Sequence, residues 1–279
     1  MVIRQTAFTA NDLRFAALTC GDDGPLALCL HGFPDSAHTW DRLLPELAAA
    51  GYRAVAPWTR GYAPTEVPAD GDYSLAALST DANKLHDALS GDSDAVLIGH
   101  DWGAATAYLA GATGPDRWRR VVTLAVPPTA VAANAFFRYE QLKRSFYVLL
   151  FQTPLAELVA GADDLRFLER LWQDWSPEYD ATGEIGHMKD SLRDPANLAA
   201  AIGYYRAMFT SGAPSDVPAQ PTLYLHGASD GAFSVDGVNG TLDSLAAGSR
   251  VEVVNNAGHF LHLERPEVVN PMILDWIGG

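Results

Sequence analysis

Two aspartates and a histidine stand where they could make and then break an ester. Asp101 lies at the centre of Gly99-His100-Asp101-Trp102-Gly103. That stretch follows the apolar run Ala95-Val96-Leu97-Ile98 and precedes an Ala-rich segment, 104–112, which reads as strand, tight turn and helix. Glycines two residues away on each side suit a sharp elbow that lifts one side chain clear of a sheet. The usual residue at such an apex is Ser, whose hydroxyl needs a base before it can attack. An Asp carboxylate is already ionised at neutral pH. The elbow therefore predicts attack by a carboxylate on an electrophilic carbon, with an ester formed on the protein.

Hydrolysing that ester needs a base and an acid to orient it. In elbows of this kind the chain order is nucleophile, acid, base. Asp230 follows the run Thr222–Leu225, within His226-Gly227-Ala228-Ser229-Asp230-Gly231, and His259 follows Val251–Val254, within Asn255-Asn256-Ala257-Gly258-His259-Phe260. Taken singly, Asp230 reads as an Asp-Gly turn and His259 as a helix-entry histidine. His262 is a rival base, set later, where the last helix begins. Together, in order and each just past a strand, the three read as one constellation. His31-Gly32-Phe33-Pro34 follows the apolar run Leu26–Leu30. A turn there can aim a backbone N–H at a developing oxyanion, and the expected donors are the N–H groups of Phe33 and Trp102. The plainer reading is a strand-ending turn at Pro34. His31 and His100 read as structural.

These residues need a frame. Strand-like runs at Leu13–Thr19, Leu26–Leu30, Arg53–Ala56, 95–98, Val121–Val126, Thr222–Leu225 and Val251–Val254 alternate with helical patterns. Those patterns cover Trp40–Ala50, Leu75–Leu89, the segment after the elbow, a loop and helix over Ser234–Ala247, and Pro266–Ile277. Alternation of this kind implies a parallel sheet covered on both faces, with ligands at the C-terminal strand ends. Residues 129–211 break the rhythm. They are aromatic-rich and read as mostly helical, and they leave from the same edge as the candidate loops. The division predicted is a core of 1–128 and 212–279 with a helical cap of 129–211.

Composition narrows the class. A chain of 279 residues, 48% hydrophobic and 19% charged, can bury a full core. Its formal net charge of -15 argues against nucleic-acid and anionic-membrane partners, which want basic patches. Cys20 and Cys29 are too few for a disulfide scaffold and read as two buried thiols on adjacent strands. No Cys/His cluster suggests a metal, and no apolar run is long enough to span a bilayer. A cytoplasmic protein without cofactor is the expectation, and a homodimer is compatible with it.

The motifs together carry a resemblance. His31-Gly32-Phe33-Pro34, Arg60-Gly61-Tyr62, Gly99-His100-Asp101-Trp102-Gly103, and Gly258-His259-Phe260 leading to Glu264-Arg265-Pro266-Glu267 resemble the epoxide hydrolases of the α/β-hydrolase family. The likeness covers essentially the whole chain. It implies the α/β-hydrolase fold, a mostly parallel central sheet with helices on both faces and a helical cap inserted after the sixth strand. Trp58 is a departure, because many relatives carry Asp just after that strand.

The resemblance also implies two cap tyrosines that hold and protonate the epoxide oxygen. Phe146-Tyr147-Val148-Leu149-Leu150-Phe151-Gln152-Thr153-Pro154 is similar to the first tyrosine segment and places a donor at Tyr147. Gly203-Tyr204-Tyr205-Arg206-Ala207-Met208 is similar to the second and places one at Tyr205. A phenol suits this task, since at a pKa of about 10 it stays protonated yet donates as alkoxide charge grows. The activity implied is hydrolysis of an apolar epoxide to a vicinal diol, an ether-bond hydrolase reaction whose only other reactant is water. Phe33, Trp102, Phe151 and Phe209 are the expected aromatic lining. The alternatives are a haloalkane dehalogenase, which would share the Asp nucleophile but needs N–H donors for halide, and a non-enzymatic small-molecule binder on the same fold. Phe33 offers a halide no side-chain donor.

Overall fold

The apolar runs become the strands of one sheet in the computed structural model, which describes residues 1–210 and 217–279. Among these, eight strands pair in the order β1-β2-β4-β3-β5-β6-β7-β8. They are β1 (Arg4–Ala10), β2 (Leu13–Cys20), β3 (Leu26–Leu30), β4 (Arg53–Pro57), β5 (Val96–His100), β6 (Arg120–Leu124), β7 (Thr222–Gly227) and β8 (Arg250–Val254). β1 and β2 pair antiparallel, as do β2 and β4, and every later pairing is parallel. All five residues of β3 and of β5 are buried, as befits strands covered on both faces.

The helices are α1 (Leu44–Ala49), α2 (Leu75–Ala88), α3 (Trp102–Thr113), α4 (Thr129–Phe136), α5 (Tyr139–Arg144), α6 (Phe146–Leu150), α7 (Ala156–Trp175), α8 (Thr182–Leu192), α9 (Pro195–Thr210), α10 (Leu261–Glu264) and α11 (Pro266–Gly278). Ser74 caps α2 by accepting from the Ala77 N–H. Leu78, Ala82 and Leu85 on that helix are buried. α3 is built of small residues, and Gly103, Ala104, Ala107, Ala110 and Gly111 are all buried, so its backbone lies close to the sheet. α4 to α9 all fall between β6 and β7. α7 is broken at Ala162–Leu165, where Asp163, Asp164 and Leu165 have positive φ. No described helix is long and apolar enough to cross a membrane.

Four sequence expectations change. β1 was not foreseen; its burial is only partial, so its sequence lacks an apolar signature. The helix expected over Trp40–Ala50 is a 3-10 turn at Ala37–Trp40 and then the six-residue α1. Pro45 lacks an N–H and fits only the first turn of a helix, so α1 begins beside it. Ser234–Ala247 holds two 3-10 turns, Val235–Gly237 and Leu242–Ser244, in place of a helix. Gly237 and Gly240 weaken any longer helix there. Cys20 and Cys29 are free and buried, but β4 lies between their strands. The boundary expected at 211–212 lies outside the described residues.

Candidate active site

The C-terminal ends of β3, β5, β7 and β8 converge on one point. Asp101 follows β5 with φ 53° and ψ -117°, a left-handed conformation that few non-glycine residues adopt. The flanking glycines have a steric reason. A Cβ on Gly99 would strike the Gly103 carbonyl, and one on Gly103 would strike the Leu30 carbonyl. A Cβ on Gly32 would strike the Asp101 carboxylate itself. The sharp turn and the close approach of the β3 loop both depend on these three positions.

The two oxygens of Asp101 have different surroundings. Oδ1 accepts the Phe33 N–H at 2.7 Å, and the carboxylate also accepts the Trp102 N–H. Oδ2 lies 3.7 Å from His259 Nε2, a buried atom with no hydrogen-bond partner among the described residues. His259 Nδ1 is 2.9 Å from Asp230 Oδ2. The other Asp230 oxygen accepts the N–H groups of Ala232 and Phe233 at 2.7 and 2.9 Å. The Asp230 loop therefore holds its carboxylate from behind and leaves one oxygen for the imidazole.

Burial and charge oppose each other at all three residues. Burial pushes the Asp101 carboxyl up, and the His259 charge and the Phe33 and Trp102 N–H groups only partly reverse this. At Asp230 burial also pushes up, but the His259 charge and their hydrogen bond win, and the carboxyl sits below its usual range. Burial alone would depress His259. The Asp230 charge and hydrogen bond, then the Asp101 charge, outweigh it and lift the imidazole above its ordinary value.

An aromatic wall faces Asp101. The Tyr205 ring lies 5.0 Å from Phe33, 5.3 Å from Trp102, 5.2 Å from Phe151 and 5.6 Å from Tyr147. The Tyr205 hydroxyl is buried with no hydrogen-bond partner among the described residues. Burial pushes both phenols up, and the Asp101 charge adds to this, so both stay protonated. The adjacent Tyr204 is committed elsewhere, since its hydroxyl donates to the Arg60 carbonyl at 2.7 Å. Of the pair, it is the Tyr205 ring that packs against Phe33, Phe151 and Tyr147.

Phe209 is a correction. It lies one helical turn beyond Tyr205 on α9, half exposed, with its ring 6.2 Å from Phe136. α9 has by then run past the edge of the site, so Phe209 does not join the wall. His262 is no rival base. Its Nε2 pairs with Thr39 Oγ1 at 2.6 Å, and burial pushes its pKa down to about 3. His31 accepts the Thr59 N–H and is structural, as is His100, whose Nε2 is 3.0 Å from the His259 carbonyl.

Comparison with known proteins follows the geometry. Residues 25–266 match the family described as alpha/beta hydrolase fold. The chain is 30% identical to Epoxide hydrolase A of Mycobacterium tuberculosis, over 96% of this chain and 95% of that one. The chain belongs to the epoxide hydrolase family of α/β-hydrolases. Epoxide hydrolase 4 of Homo sapiens is 31% identical, over 94% of this chain and 75% of its own length. The crystal structure of Epoxide Hydrolase A from Mycobacterium thermoresistibile aligns with a TM-score of 0.83 at 26% identity, covering 100% of this chain and 99% of that one.

Two residues of this epoxide hydrolase family member shape the site in ways that sequence reasoning did not assign. The Trp175 carbonyl, at the end of α7, accepts the N–H of both Gly231 and His259 at 3.1 Å. Its ring lies 5.1 Å from both Tyr147 and His259. Glu264 accepts the Gly258 N–H at 2.8 Å and the Ser176 hydroxyl at 2.6 Å, which fixes the loop that carries His259. Of Trp172 and Trp175, the two α7 tryptophans that could serve as halide donors, Trp172 has its indole N–H spent on the Pro34 carbonyl at 2.6 Å.

Proposed function

We propose that this protein hydrolyses an apolar epoxide to a vicinal diol in two steps, and that residues 129–211 act as a cap over a core of 1–128 and 212–279. The observation that carries the reading is the buried Tyr205 hydroxyl, without a hydrogen-bond partner among the described residues, beside Tyr147 and facing a carboxylate nucleophile. In the first step Asp101 Oδ2 attacks an epoxide carbon and the C–O bond breaks. Tyr147 and Tyr205 donate to the leaving oxygen, giving a hydroxyalkyl ester on Asp101. In the second step His259 Nε2 takes a proton from water, which attacks the Asp101 carbonyl carbon. Charge then gathers on Oδ1, where the Phe33 N–H already points, while the Trp102 N–H also reaches the same carboxylate. Collapse releases the diol as His259 passes its proton to the departing alkoxide oxygen, and the proton left on the Asp101 carboxyl restores the phenol that gave one up. Similarity to named epoxide hydrolases supports the substrate class. The free buried thiols Cys20 and Cys29 fit the cytoplasmic location we propose alongside it.

The deciding experiment offers the purified protein aryl and alkyl epoxides beside chloro- and bromoalkanes. Diol release from the epoxides and no halide release is the expected result. Halide release alone would replace the reading with dehalogenation, and turnover of neither class would leave a binder.

The pH profile adds a second check. The base must be neutral, so kcat falls tenfold per unit on the acid side as His259 protonates. In the free protein the Asp101 charge helps to raise His259. In the ester that charge is gone. The acid midpoint of kcat is therefore expected below the His259 pKa that NMR titration gives for the free protein. Equal midpoints would mean that Asp101 is not esterified in the slow step.

A further inference from the structure

We propose that His38, Asp41 and His187 form a site for a borderline divalent transition metal such as zinc or nickel, joining the loop after β3 to α8. His38 and Asp41 sit in and just after the 3-10 turn that follows the oxyanion loop, and His187 projects from α8. One potential ligand atom from each residue lies within 4.8 Å of the other two. The two imidazoles stack with 3.8 Å between centroids and 19° between planes.

Three observations point to a cation. Asp41 Oδ2 holds His38 Nδ1 at 2.9 Å, an arrangement that fixes the imidazole and leaves its Nε2 for a metal. The other Asp41 oxygen, Oδ1, is shut off from solvent and has no hydrogen-bond partner among the described residues. The negative charges of Asp190 and Glu184 also face His187. Two imidazoles and one carboxylate suit zinc, nickel or copper better than magnesium or calcium, which prefer all-oxygen sites. Tetrahedral zinc places its ligand atoms about 3.4 Å apart. The stacked rings cannot aim both lone pairs at one ion as they stand, so His187, exposed on α8, must turn out of the stack to ligate, with water as the fourth ligand.

The backbone around the site is already set. Trp58 Nε1 donates to Ser191 Oγ at 3.1 Å, and the Ala63 N–H donates to the Ser191 carbonyl at 3.1 Å. α8 is therefore docked on the core before any ion arrives, so little ordering is left for binding to impose. A bound metal would fasten the helical insertion to the loop that carries Phe33, at a distance from Asp101 and His259. The proposal does not depend on which reaction those residues perform.

The test titrates zinc chloride into the full chain at neutral pH by calorimetry, with thermal melting in parallel. One equivalent is expected to bind saturably. At a hundredfold excess over Kd, Tm is expected to rise by about 5 °C and to return on adding EDTA. His187→Gln and Asp41→Asn should each weaken binding by at least about tenfold and remove most of the Tm rise. Their metal-free diol-forming or other basal activity shows that they are folded. No saturable binding in the unmodified protein would overturn the proposal. So would binding that both variants leave unchanged, since the ion would then sit elsewhere, for example at the buried group of Asp35, His100 and His262.

Discussion

His259→Gln is expected to lose steady-state turnover by about a thousandfold while gaining one substrate molecule in mass. The nucleophile, Asp101, needs no base to attack, so the variant still forms the ester. Nothing then draws the proton from water, and the ester persists. Because an epoxide opens without losing an atom, the adduct weighs the protein plus the whole substrate. A haloalkane adduct would instead lack the halogen. Intact-mass spectrometry within minutes of mixing reads the outcome directly. The two-step scheme fails if the variant stays at its unmodified mass under conditions where the parent protein turns over. The distances agree with this division of labour, since His259 Nε2 is 3.7 Å from Oδ2 and has no hydrogen-bond partner among the described residues.

The second large effect belongs to the tyrosines. Tyr147→Phe with Tyr205→Phe is expected to slow ester formation by about 10^3-fold or more, as removing donors to a developing oxyanion does. Each single variant should lose less, because the remaining phenol still reaches the oxygen. The measurement is pre-steady-state ester formation, or its mass signature in a His259→Gln background. Both rings are packed against neighbours at 5–6 Å, and Phe preserves that packing. A loss of rate would thus report the hydroxyls and not the fold. Retained epoxide opening in the double variant would remove the phenols from the mechanism.

Some of this was legible in the chain and some was not, for physical reasons. Asp101, Asp230 and His259 each sit just past a short apolar run, and a parallel sheet turns that linear position into a shared location. The glycines around Asp101 announced a steric need that the carbonyls of Gly103 and Leu30 then explain. The tyrosines were visible only through resemblance, since a Tyr on a helix ordinarily signals packing. Phe209 shows the limit of such reading. It keeps the same helix face as Tyr205, but a helix that outruns its site carries the next turn to the surface. Trp175 and Glu264 left no signal of what they hold, although Glu264 stands in one of the motifs that carry the resemblance. Trp175 acts through its main-chain carbonyl, which any residue possesses, and Glu264 acts through a bond to a backbone N–H. The terminal strand β1 and the missing helix near 240 failed for the opposite reason, because half-buried edges and glycine-rich turns carry weak periodicity.

The shared acceptor at Trp175 bears on how such proteins diverge. By sequence it belongs to the inserted helices, yet its carbonyl receives the N–H groups that set both the acid loop and the base. Exchanging the whole insertion with that of a relative would therefore shift the catalytic geometry together with the substrate pocket. A chimera that keeps residues 166–176 from the parent, joining at the break in α7, would separate the two. The unit that evolution or an engineer can swap freely is smaller than the one the strand pattern outlines.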